Sequence, residues 1–202
     1  MNGFYKFIRA IMIALTKTVL PLKTIGSEYL PKEGGYILCC NHTSMSDVIY
    51  LIVDNKKMVH FMGKQELFKI KFMGYLYSKM GCFPVNRGVG DTSAIEISKS
   101  LASDGNVVGI FPEGTRNKSF GPPKQGKSGA VVIAQSVGVP IVPAAICRTG
   151  KFKLFRKTVL RYGKPIMPEE LPDVSEGRGA IKSTLYRLMG DITKLWEQGI
   201  ED

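Results

Sequence analysis

Short apolar runs alternate along this chain with stretches whose apolar residues recur every three or four positions. The runs at 36–40, 58–62, 82–85, 107–111, 141–146 and 158–162 have the length and β-branched or aromatic content of strands. The stretches at 46–54, 74–80, 92–103, 129–137 and about 179–198 have helical periodicity. This alternation predicts an α/β domain whose helices cover a central, largely parallel or mixed sheet, with 152–166 adding an antiparallel edge. No repeat, low-complexity tract or long linker marks a second globular unit, and 202 residues suit one well-buried core.

The first stretch differs from the rest. From Phe4 to Leu22 apolar residues dominate, but Lys6, Arg9 and Lys17 interrupt them and Pro21 ends the helical pattern. Its unbroken apolar core, 10–15, is far shorter than the roughly 20 residues that span a bilayer. No small-residue cleavage site precedes Pro21, which argues against a secretory leader. Two readings stand: an amphipathic helix lying in a membrane interface, or a helix packed on the domain. We divide the chain into a membrane-associating helix at 1–25 and a globular domain at 26–202.

Composition changes the picture in one respect. A hydrophobic content of 44% with 22% charged residues is that of an ordinary globular protein. Against this, 28 Lys and Arg face 17 Asp and Glu, a net charge of +11. Such an excess implies an anionic partner: nucleic acid, acidic lipid headgroups, a phosphorylated substrate or an acidic carrier protein. Cys39, Cys40, Cys82 and Cys147 form no CxxC pair, so they suggest neither a disulfide framework nor a zinc site and are expected to be reduced, buried thiols.

Candidate chemistry begins at Asn41-His42-Thr43-Ser44-Met45-Ser46-Asp47, directly after the first strand-like run. Neutral imidazole accepts a proton from an alcohol near pH 7, and a carboxylate on its far nitrogen fixes the tautomer and stabilises the imidazolium. Residues five apart on one helix diverge, so His42 is expected in the strand-to-helix turn and Asp47 in the first helical turn. The competing reading is purely structural: Ser44 and Asp47 form a capping box, and His42 is a turn residue.

Two further segments fall at strand ends, where ligands gather in open α/β sheets. Gly81-Cys82-Phe83-Pro84-Val85-Asn86-Arg87 delivers a guanidinium into a turn; Phe111-Pro112-Glu113-Gly114-Thr115-Arg116 delivers a carboxylate, a flexible glycine, a hydroxyl and a second guanidinium. Arg87 and Arg116 together suit a phosphate monoester dianion, although each alone also suits a surface ion pair. Glu113 is either a salt-bridge partner that holds an arginine or a contact to a substrate hydroxyl. A fourth segment, 139–143, is an apolar run broken by two prolines.

Two motifs compete with this reading. Residues 121–128, GPPKQGKS, satisfy the GxxxxGK[ST] phosphate-loop pattern. The polar stretch before them is no buried strand, and Pro122 and Pro123 lack two backbone donors that a phosphate cradle needs. The 151–161 stretch interleaves Lys and Arg with Phe152 and Phe155, as single-stranded nucleic-acid binders do, but no recognition-helix or RNA-motif signature accompanies it. A solvated basic strand, or a docking face for an acidic carrier or membrane, explains it better.

Taken together and in order, NHTSMSD, GCFPVNR, FPEGTR and VPIVP resemble the NHxxxxD, GxxFxxR, acidic-arginine and proline blocks of the glycerolipid acyltransferase family, specifically the 1-acylglycerol-3-phosphate acyltransferases. The resemblance covers about residues 35–150, and Lys127-Ser128-Gly129 is similar to a family lysine and glycine segment. It implies acyl transfer from a thioester of coenzyme A or acyl carrier protein to the sn-2 hydroxyl of lysophosphatidic acid, giving phosphatidic acid, with 26–202 as the catalytic domain. By resemblance His42 is the base and Asp47 its partner; Arg87 and Arg116 bind glycerophosphate, Glu113, Gly114 and Thr115 complete the third block, and Lys127 is a further phosphate ligand. Asn86 departs from the family, where many relatives carry Asp before the arginine.

A thioester is already activated, so the reaction asks for a base, oxyanion donors and a clamp, with no metal, cofactor or covalent nucleophile. Backbone amides near Gly114 are the candidate oxyanion donors. The expected partners are the acyl donor, lysophosphatidic acid and an anionic membrane surface, with no nucleic acid. The expected location is peripheral or monotopic, on the cytoplasmic face of the cell membrane. Glycerol-3-phosphate or another lysophospholipid is the alternative acceptor. A non-enzymatic anionic-lipid-binding protein and a P-loop nucleotide hydrolase are the alternatives outside this class.

Overall fold

A computed structural model of the chain describes residues 2–85 and 92–200. Helix α1 (Gly3–Thr18) leads into strand β1 (Leu22–Ile25), after which β2 (Tyr36–Cys40), α2 (Ser46–Asp54), β3 (Val59–Lys64), α3 (Lys71–Lys79) and β4 (Cys82–Val85) alternate. There follow α4 (Thr92–Ser103), β5 (Val107–Ile110), α5 (Gly129–Val137), β6 (Ile141–Cys147), β7 (Thr158–Tyr162) and the long helix α6 (Gly177–Glu197). The predicted elements are all present. The strand at Leu22–Ile25 carried no marked pattern in the sequence.

One seven-stranded sheet runs in the order β1-β7-β6-β2-β5-β3-β4. Strands β6, β2, β5, β3 and β4 are mutually parallel, whereas β7 pairs antiparallel with β6 and parallel with β1. The sheet is therefore mixed, with the reversed pair at one side. Central β2 is buried along its whole length, and its period of two splits the core. Tyr36, Leu38 and Cys40 face a cluster with α1 and α2, while Ile37 and Cys39 face one with α4, α5 and α6. Helices thus cover both faces, as parallel strands buried on two sides require.

Helix α1 is docked by one face. Tyr5 is fully buried, and Arg9 donates to Ile52 O at 3.0 Å and Val53 O at 2.7 Å, capping the carboxyl end of α2. Phe4, Phe7, Ile11 and Leu15, at helical spacing, form an exposed apolar stripe on another face. Packing on the domain and presenting an apolar surface are thus properties of the same helix. Among the described residues, no helix is long and apolar enough to cross a membrane.

Candidate active site

The connections from β2 and β5 leave on opposite sides of β2, which makes the carboxyl ends of β5, β2 and β6 a topological switch point. His42 lies two residues past β2, Glu113 three past β5 and Arg148 one past β6. Asn41 ties the central pair together: its side chain accepts from Ile146 N at 2.7 Å and donates to Ile146 O at 3.1 Å. It extends the ladder beyond the strand and holds the turn against β6.

At that edge His42 Nδ1 meets Asp47 Oδ2 at 2.9 Å. The same oxygen accepts the amides of Thr43 at 2.7 Å and Ser44 at 2.8 Å. The other oxygen, Oδ1, accepts from Arg148 Nη2, and Arg148 Nη1 donates to Ser46 Oγ at 3.2 Å. Asp47 is fully buried, and its two oxygens together meet four donors. An ionised acceptor on Nδ1 makes that nitrogen the donor and leaves Nε2 as the proton acceptor. The capping-box expectation is half met: Asp47 reaches back to the Ser44 amide, but the Ser44 hydroxyl accepts from Ser46 N at 3.3 Å rather than from the Asp47 amide.

The imidazole is held by stacking as well. Its ring lies 4.0 Å from that of Phe111, with a 14° interplanar angle, and Phe61 continues the stack. The His42 side chain is 14% exposed, whereas that of Asp47 is fully buried.

Glu113 is buried and braces the turn. Oε1 accepts the His42 amide at 2.8 Å and Oε2 the Lys124 amide at 3.0 Å, while Asn117 N donates to His42 O at 2.7 Å. Both oxygens are thus engaged by backbone amides, so among the described residues Glu113 holds the turn at His42 rather than the arginine expected of it. Gly114 takes φ +71, and a Cβ there would stand 3.2 Å from Lys127 Cε and 3.4 Å from its Nζ. The amide of Gly114 donates to Phe111 O at 2.9 Å, so it is not an available oxyanion donor.

Thr115, Arg116 and Lys127 are exposed on this loop, whose next residue, Asn117, is bonded to His42. Arg87 and Asn86 lie outside the described residues. The GPPKQGKS segment does not form a phosphate cradle: β5 ends well before it, and the Lys124 and Lys127 amides are taken by Glu113 and Pro112 O. Gly126 instead packs against Met189 and Leu185 of α6.

Sequence reading missed Arg148 and the role of Asn41. Arg148 has a side chain 5% exposed and lies between the rings of Tyr50 and Phe152, 5.7 and 5.9 Å from their centroids. The available signal was a cation at the carboxyl end of a strand running parallel to the one that precedes His42.

Fold and site define an α/β domain that presents a bonded His–Asp pair at the carboxyl ends of its central strands. A family model described as Acyltransferase matches residues 21–147. The chain is 36% identical over 166 residues to the 1-acyl-sn-glycerol-3-phosphate acyltransferase of Bacillus subtilis, covering 80% of this chain and 82% of that one. With the Borreliella burgdorferi protein of the same name it shares 30% over 152 residues, 74% of this chain and 60% of the relative. The crystal structure of the 1-acyl-sn-glycerophosphate acyltransferase PlsC from Thermotoga maritima has the same fold, with a TM-score of 0.68 at 22% identity over 93% of this chain and 80% of that one. This chain belongs to the acyltransferase family and is an acyltransferase.

Proposed function

We propose that the chain transfers an acyl group from an acyl thioester to the sn-2 hydroxyl of 1-acyl-sn-glycerol-3-phosphate, forming phosphatidic acid. The single observation that carries the chemistry is the 2.9 Å contact between His42 Nδ1 and Asp47 Oδ2, which leaves Nε2 directed to an incoming alcohol. Nε2 removes the hydroxyl proton as the oxygen attacks the thioester carbonyl. The tetrahedral intermediate collapses with loss of the thiolate, which takes the proton back from the imidazolium. Asp47 stabilises that imidazolium, and Arg148 and two amides hold the Asp47 carboxylate in place.

The acceptor follows from the relatives' names and from the cations around the crevice. Arg116 and Lys127 stand on the loop that Glu113 fastens to His42, and the motif adds Arg87. A phosphate held there would place a glycerol hydroxyl near the base. The donor is acyl-CoA or acyl carrier protein. The exposed stripe of α1, and exposed Leu67, Ile70, Phe72 and Tyr75, suit a monotopic position at the cytoplasmic face of a membrane, where a lysolipid resides.

The test is incubation of purified protein with labelled acyl-CoA or acyl carrier protein and a panel of lysolipids and glycerol-3-phosphate, with products identified by mass. Phosphatidic acid formed selectively from lysophosphatidic acid, and abolished in His42→Ala, is the expected result. Acylation confined to glycerol-3-phosphate, or turnover that survives His42→Ala, would overturn it.

A further inference from the structure

The loop between β6 and β7 emerges from the same sheet edge as His42, because β6 and β2 are parallel. Lys151, Lys153, Arg156 and Lys157 are all exposed on it, and the sequence holds no acidic residue from Arg148 through Pro168. At its tip Leu154 is 57% and Phe155 71% exposed, two large apolar groups flanked on both sides by cations. Phe155 takes φ +60, a conformation unusual for an aromatic residue, and its amide donates to Val19 O at 2.8 Å. The tip is thereby bonded to the end of α1, the helix with the exposed stripe Phe4, Phe7, Ile11 and Leu15. Phe152, at the base of the loop, packs on the core and lies over Arg148, which holds Asp47.

We propose that this loop is a second membrane contact of the enzyme, in which Leu154 and Phe155 insert between headgroups while Lys151, Lys153, Arg156 and Lys157 bind anionic phospholipid. The proposal rests on the reading of α1 as membrane-associated and adds the element that sets which way the molecule faces. An apolar stripe sets the rotation of a helix about its own axis only to within the width of the stripe; a cationic, apolar loop at its end adds a second anchor that narrows this range. That anchor lies at the edge that carries the catalytic pair, so the crevice opens toward the lipid. An anionic bilayer suits the loop better than an acidic carrier protein because the apolar pair is continuous with the α1 end, and apolar residues amid cations are the pattern of interfacial anchors.

The experiment is sedimentation of the full chain with phosphatidylcholine vesicles, with and without phosphatidylglycerol, for wild type, Leu154→Ser/Phe155→Ser, Lys151→Gln/Lys153→Gln/Arg156→Gln, and Phe7→Ser/Ile11→Ser in α1. Activity on a short-chain acceptor below its micellar concentration verifies that each variant is folded. Each loop variant is expected to lose at least tenfold in affinity for the anionic vesicles, and the triple cation variant to lose the difference between the two vesicle types. Both should keep activity on the monodisperse acceptor. Loop variants that bind like wild type while the α1 variant does not would overturn the second contact and leave the acyltransferase reading standing. Retained vesicle binding with a raised KM for acyl carrier protein alone would assign the loop to the protein donor instead. A Phe155→Trp variant gives an independent readout: quenching by brominated lipid, above that of the native Trp196, is expected, and its absence would reject insertion.

Discussion

The guanidinium of Arg148 closes on the one carboxylate oxygen of Asp47 that His42 does not touch. The dyad seen in the sequence is therefore the outer part of a buried line from His42 through Asp47 to Arg148. In the proposed mechanism the Asp47 carboxylate orients the imidazole, and the buried guanidinium of Arg148 holds that carboxylate in place.

Replacing Arg148 with Met removes the formal counter-charge that the buried Asp47 carboxylate has among the described residues, although two amides remain. Stability is expected to fall by about 3 kcal/mol, as when one partner of a buried pair is removed. The kcat should drop roughly 10–100-fold with little change in KM, because an orienting partner rather than a substrate contact is lost. Arg148→Lys should restore part of the rate. Steady-state kinetics and urea unfolding would show both effects, and a KM change alone would contradict the assigned role.

Glu113 accepts two backbone amides, a task that needs two acceptor oxygens. In Glu113→Gln one amide nitrogen must face a backbone N–H, an unmade bond worth about 1–3 kcal/mol. The loop carrying Arg116 and Lys127 would loosen from His42. We expect lower stability together with reduced kcat and a raised KM for the phosphorylated acceptor. An unchanged KM would mean that the loop does not carry the acceptor site.

The cysteines give a test of direct transfer. Burial pushes the thiols of Cys82 and Cys147 up to about 11, and those of Cys39 and Cys40 are raised by burial as well. At pH 8 a thiol of that pKa is ionised to roughly one part in a thousand, too little for a ready nucleophile. Iodoacetamide at pH 8 should leave activity intact and label the chain only after denaturation, as mass spectrometry would report. Rapid inactivation would point to an acyl-cysteine intermediate.

His60, the second histidine, titrates outside the site. Burial holds its pKa below the usual value, against the opposing effect of the Gly81 backbone. The folded chain therefore takes up this proton at a lower pH than the unfolded chain does. As pH falls below about 6.5 the unfolded state is favoured, until the folded group also protonates. His60→Gln should flatten this decline, so urea midpoints at pH 7 and pH 5 should differ less in the variant than in wild type. An equal decline in both would assign the acid sensitivity to other groups.

Local pattern alone determined much of this protein. The run Tyr36–Cys40 reads as a buried strand because all five side chains enter one of two core layers, and the helix Ser46–Asp54 has the spacing its packing needs. The meeting of His42 and Asp47 was legible because one short turn leads from His42 into the first turn of α2, where Asp47 lies five residues on. Tertiary structure alone decided the rest. Strand β1 pairs with a strand more than a hundred positions away, Asn41 bonds a residue 105 positions on, and Arg148 reaches Asp47 across 101. No local spacing encodes those distances: they follow from the order β6-β2-β5, set by which non-local pairings bury the most apolar surface. Likewise, the periodicity of α1 showed an amphipathic helix, but only packing decided that Tyr5 and Arg9 face the domain and Phe7 and Ile11 do not.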